Sequence, residues 1–182
     1  MTESEKSPRR DKEGHDSNAE MASISSLIDD LTCDDVPACQ KARRALVDIG
    51  KPAIGPLIKA LSDRREWVRW EATKALGQIG DPVATQVLVG ALQDKLFDVR
   101  WLAAEGLIAL GRTVLVPLLQ ALTEHPDSLR LRQGAHHILH DLRAEDLKEM
   151  LQPLLAALED VKPAEEVPLA AKTILDTLTG AK

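Results

Sequence analysis

Aromatic side chains are almost missing from this chain of 182 residues: it has three Trp, one Phe and no Tyr. Its core must therefore be aliphatic, built of Ala, Leu, Ile and Val, a composition that suits closely packed helices. Cysteine is equally scarce. Cys33 and Cys39 are too few for a disulfide framework, and their spacing is not that of a metal site. They read as packing thiols. The N-terminus is charged and carries no apolar run, so no signal peptide is expected. No apolar stretch reads as long enough for a membrane span. A basic surplus is missing too. The net charge is −6, of which −2 falls in the first twenty residues, and residues 59–132 hold ten basic and nine acidic side chains. Nucleic-acid binding normally needs a basic face, so this balance points away from it. The expectation is a soluble, cytoplasmic protein with no membrane or nucleic-acid partner.

Residues 1–20, MTESEKSPRRDKEGHDSNAE, contain no Leu, Ile, Val or aromatic residue. Such a segment has too little apolar surface to offset the entropy of ordering, so it reads as a disordered charged tail before a domain at 21–182.

The four aromatics fall in two stretches, REWVRW at 65–70 and FDVRW at 97–101. Val68-Arg69-Trp70 recurs 31 residues later as Val99-Arg100-Trp101. A period of that length signals a repeat architecture. In VRWEATKALGQIG, the residues Val68, Ala72, Ala75, Leu76 and Ile79 mark one face of a helix that Gly80 stops. The same face returns at Val99, Ala103, Gly106, Leu107 and Leu110. It returns again at Leu131, Ala135, Ile138 and Leu139, and at Val167, Ala171, Ile174 and Leu175. Upstream it is Ala38, Ala42, Ala45, Leu46 and Ile49. A shorter apolar helix precedes each copy, as at Leu57-Ile58-Leu61 and Leu88-Val89-Leu92. Asp81-Pro82 and Pro52 are natural helix starts.

One helix pair cannot bury both faces, so stacked pairs must share a continuous core. The pattern predicts an all-α fold: an α-solenoid, a right-handed superhelix, of five helix-turn-helix units. The units run at about 21–50, 51–80, 81–111, 112–143 and 144–180. The last is irregular: its connection after Arg143 is longer, and Pro168 replaces the recurring Arg. It reads as a terminal cap.

VRWEATKALGQIGDPVATQVLVGAL resembles the short HEAT-like repeat named after the phycobilisome lyases, which reads roughly V-R-x-x-A-x-x-A-L-G-x-I-G-D-P-x-A. The likeness runs over about 22–179 and is sharpest at 66–123. The resemblance implies that the second helix of each unit lines a concave surface. Residues two, three, six and ten places after the core Val would then face that groove. Trp70, Glu71 and Lys74 come from unit two, Trp101, Leu102 and Glu105 from unit three, and His137 from unit four. Trp70 and Trp101 are expected side by side, with Trp67 and Phe97 at the edge. Exposed Trp clusters mark binding surfaces, and Trp dominates interface energies. The competing reading makes the aromatics seam filling. Arg69, Arg100 and Arg132 read as a structural ladder tying neighbouring units through acids such as Asp63 and Asp94.

Enzymes occur among proteins with such repeats. Deoxyhypusine hydroxylase carries His-Glu pairs just after this Arg. Here those places read Trp70-Glu71, Trp101-Leu102 and Gln133-Gly134, so that activity is rejected. Repeat-containing alkylpurine DNA glycosylases need a basic cleft that the charge balance does not supply. His136 and His140 stand at a metal-type i, i+4 spacing without an evident third ligand. No catalytic residue, metal or cofactor is expected. The reading is a non-catalytic scaffold or adaptor that binds a partner protein or peptide in its groove. The alternative, carried by the resemblance, is a lyase-like or chaperone-like protein acting on a tetrapyrrole-bearing partner.

Overall fold

A computed structural model describes residues 11–32, 35–142, 145–160 and 163–180. Among them the fold consists of helices and turns: α1 (Asp11–Asp30), α2 (Val36–Ile49), α3 (Lys51–Ala60), α4 (Glu66–Ile79), α5 (Thr85–Ala91), α6 (Phe97–Leu110), α7 (Leu115–Glu124), α8 (Leu129–Leu142), α9 (Glu145–Glu159) and α10 (Pro163–Thr179). These are the five expected pairs. α1 begins at Asp11, inside the charged tail expected to be disordered to residue 20. The rest of that tail and Cys33 lie outside the described residues.

The breaks obey local chemistry. Gly80 ends α4 in the left-handed conformation, with φ 65° and ψ 26°, where a Cβ would be strained. The Asp81 carboxylate then accepts the Val83 N–H at 2.9 Å. A 3₁₀ turn, Pro82–Ala84, comes next, and only then α5. The expected cap is real, but it starts the tighter helix. Gly111, at φ 65°, divides Phe97–Glu124. That stretch is apolar enough overall to cross a membrane, which corrects the expectation of none. Folded, it is two helices of 14 and 10 residues joined by a turn, each shorter than the ~20 residues a span needs.

The second helices α2, α4, α6 and α8 pack side by side in one row, and first helices lie behind them, α1 on α3 and α5 on α7. The shared core is aliphatic as predicted: Leu46, Leu57, Leu76, Leu88, Leu107, Leu118, Leu131 and Ile138 are all essentially inaccessible. The last pair departs from the register. α9 packs on α8, whereas α10 packs on α7 and α9. The second helix of unit five therefore closes the first-helix row. Its predicted apolar face, Val167, Ala171 and Ile174, is buried there.

Candidate functional site

Two aromatic groups stand on the row of second helices. On α4, Trp67 and Trp70 are three residues apart, one helical turn, and their rings stack at 4.9 Å with planes 10° apart. Lys74, one further turn along, sets its Nζ 4.5 Å from the Trp70 ring centroid, a cation–π contact. On α6, Phe97 and Trp101 are four residues apart with ring centroids at 6.3 Å. Trp101 also stacks on His137 of α8 at 4.9 Å. The His137 Nε2 lies 3.2 Å from Glu105 Oε1. Trp101 is thus held between its own helix and the next.

The structure places the predicted residues unequally. Phe97 is 61% exposed and Trp101 48%; Trp67 is at the margin of exposure and Trp70 is half-buried. None of the four lies in the core. The two Trp of the repeat are not stacked side by side: among the described residues, Trp70 stacks on Trp67, and Trp101 on Phe97 and His137. Leu102 and Lys74 are half-buried and Glu105 is exposed. Glu71 is a correction, because it is fully buried. Three residues along a helix is about 300°, only ~60° from Val68, so this position turns into the seam rather than the groove. Its Oε2 lies 2.7 Å from Arg43 Nε of α2. Burial pushes the Glu71 carboxyl up against the opposing pull of Arg43.

Between α6 and α8 the surface dips into a small cleft of about 140 Å³ lined by Phe97, Arg100, Trp101, Ala104, Arg130, Gln133, Gly134 and His137. Arg130, Gln133 and Gly134 were not singled out from the sequence. The available signal was the offset itself: Gly134 occupies the place of Glu71 and Leu102. A Cβ there would come within 2.9 Å of Leu92 Cδ2, so the Leu92 side chain would have to shift to admit one.

The arginine ladder exists in a modified form. Arg69 makes a two-pronged contact with Asp94 of the next unit, Nε to Oδ2 at 2.7 Å and Nη2 to Oδ1 at 3.1 Å. The Asp63 carboxylate instead receives Arg65, and Arg69 takes the backbone carbonyls of Asp63 and Arg64. Arg100 likewise donates to the carbonyls of Asp94 and Lys95, and Arg132 to that of Pro126. Each Arg therefore closes the turn of its own unit. Among the described residues, Arg69 alone of the three also bridges to the next unit, through Asp94. His136 pairs with Glu159 and His140 with Asp141. Among the described residues, no three His, Cys, Asp or Glu side chains converge as a metal site would require. Cys39 is buried in the first unit.

The sequence model of HEAT repeats matches residues 24–108, which is the span from α1 to α6. Residues 24–108 are HEAT repeats. Units four and five, of which the last is irregular, lie beyond that match. Comparison by sequence with curated proteins gives no match. Among solved structures, the chain is similar to one in the complex of CpcE and CpcF of phycocyanin lyase from Nostoc sp. PCC7120. The identity is 25% and the TM-score 0.52, over 85% of this chain and 98% of that one.

Proposed function

We propose that this protein is a non-catalytic adaptor that binds a segment of a partner protein on the surface of its second-helix row, with Trp101 and Phe97 as anchors. The observation that carries this reading is their exposure, 48% and 61%, beside an apolar cleft. A cluster of exposed aromatic surface, unlike a single exposed apolar side chain, marks an interaction site. His137, stacked on Trp101, and Glu105, which contacts His137, lie beside the anchors and set selectivity together with the group of Trp67, Trp70 and Lys74 on α4. That the similar solved structure is a complex of two proteins supports a protein partner. The test is capture from lysate by immobilised protein, wild type against Trp101→Ala with Phe97→Ala. The double variant should keep its far-UV circular dichroism and bind the captured partner about ten-fold or more weakly. Equal capture by a folded variant would move the site elsewhere.

A second reading is lyase-like or chaperone-like action on a tetrapyrrole-bearing partner, and it takes its support from the similarity to a phycocyanin lyase complex. The size of the cleft weighs against a buried pigment: about 140 Å³ is below the ~300 Å³ or more typical of small-molecule sites. It suits a single side chain. Incubation with free bilin separates the readings, because a saturable shift in visible absorbance would favour pigment binding.

A further inference from the structure

Arg43, Arg65 and Arg69 all pair with carboxylates. Arg100 and Arg130, which flank the Trp101 cleft, do not do so among the described residues. Arg100 Nη1 donates to the carbonyls of Asp94 at 2.9 Å and Lys95 at 3.2 Å, and Arg130 Nη1 donates to that of Gln93 at 3.3 Å. Three successive carbonyls just past the end of α5 therefore hold two guanidinium groups next to each other. A guanidinium carries five N–H donors, and these bonds use those of Nη1 alone. Arg100 also lies over the Phe97 ring, with Cζ 5.4 Å from its centroid.

The nearby acids are mostly committed: Asp94 to Arg69 and Glu105 to His137, with Asp98 exposed in the first turn of α6. In a chain of net charge −6, two adjacent arginines without acidic partners, fixed at the rim of an aromatic cleft, form a basic island. We infer that the cleft takes an acidic peptide segment of the partner protein, an Asp or Glu beside a bulky apolar side chain. The apolar group enters between Phe97, Trp101 and His137, and the carboxylate takes the remaining N–H groups of Arg100 and Arg130. Charge complementarity and the small volume select this occupant. The inference rests on the groove being the protein-binding surface.

The experiment pans a random-peptide display library on the full chain. Selected peptides are then titrated by fluorescence anisotropy against wild type, Arg100→Gln with Arg130→Gln, and Trp101→Ala. Selected sequences should be enriched in Asp or Glu next to Leu, Phe or Trp. Their affinity should fall about ten-fold on the arginine variant, as for loss of charge-assisted hydrogen bonds, and should weaken with added NaCl. Replacing the peptide's acid by its amide should weaken binding to wild type and change nothing further on the arginine variant. Should that variant not fold, Arg130→Glu carries the same test, since Arg130 is exposed. Peptides without acidic enrichment that lose affinity on Trp101→Ala alone would overturn the acidic partner and leave the groove standing. Peptides indifferent to Trp101→Ala, or none selected, would overturn both. Free biliverdin that binds through the arginines, when its dimethyl ester does not and no peptide displaces it, would assign the anion site to a carboxylated pigment and overturn the peptide.

Discussion

Glu71 and Arg43 put an ion pair into a seam that is otherwise aliphatic. Their 2.7 Å approach is an ion contact whose angles fall short of a hydrogen bond, and Glu71 Oε1 has no donor among the described residues. Arg43 is anchored by Gln78. Removing one partner strands the other charge, whereas removing both does not. Glu71→Gln should therefore cost about 3 kcal/mol in urea unfolding, and Glu71→Leu with Arg43→Met should cost less than that single change. Two aspartates give a pH dependence. Arg65, by side chain and then by backbone N–H, holds Asp63 at about 2. Partial burial raises Asp94, but the hydrogen bonds from Arg69 and the Leu96 N–H outweigh it and leave it lowered. A lowered carboxyl contributes stability that is present above its ordinary value and lost as pH falls through the folded value. Stability should drop from about pH 4 toward pH 2, and Asp63→Asn with Asp94→Asn should flatten that drop in unfolding titrations. Glu71, raised by burial, acts in the opposite direction. Its burial was readable only in part. The position three after Val68 also lies near the core face, but what fills the seam depends on Arg43 across it. Thr73 and Ala104 stand in the place of Arg43 in the next two units.

At the scale of helices, α4 and α6 cross at glycines. A Cβ on Gly106 would meet Gly77 Cα at 3.0 Å, and one on Gly77 would meet Gly106 Cα at 3.2 Å. Backbone atoms cannot rotate away, so the helices would have to separate. Gly55 in α3 and Gly90 in α5 have nothing within 4 Å of such a Cβ. Gly106→Ala should therefore lower stability by roughly 1–3 kcal/mol, while Gly55→Ala should raise it by about 0.5–1 kcal/mol. Melting temperatures of the two variants should move in opposite directions. The helices themselves were legible from the period of the apolar residues and from stops such as Gly80 and Gly111. Gly106 falls on the repeated core face in the sequence, but its close approach to Gly77 of the neighbouring helix was not legible, because it depends on how α4 and α6 cross.

For the whole molecule, the last pair does more than end the stack as a terminal cap. With α10 lying on α7 and α9 on α8, unit five covers both rows at once. Ending the chain after Leu142 would uncover the parts of α7 and α8 beneath them, an apolar patch that favours association. The truncated protein should elute from size-exclusion columns as aggregates or oligomers, whereas a cap that merely continued the stack would leave a smaller folded protein. The repeat, the five pairs, the aliphatic core and the aromatics off the core face all came from residue spacing, because helical periodicity is a local property of the chain. Asp94 was legible as an acid for the arginine ladder, but the burial of Glu71 against Arg43, the stacking of Trp101 on His137 and the crossed order of α9 and α10 were not. Each joins residues from different helices, and those distances are set by how the rows pack, which no single segment encodes.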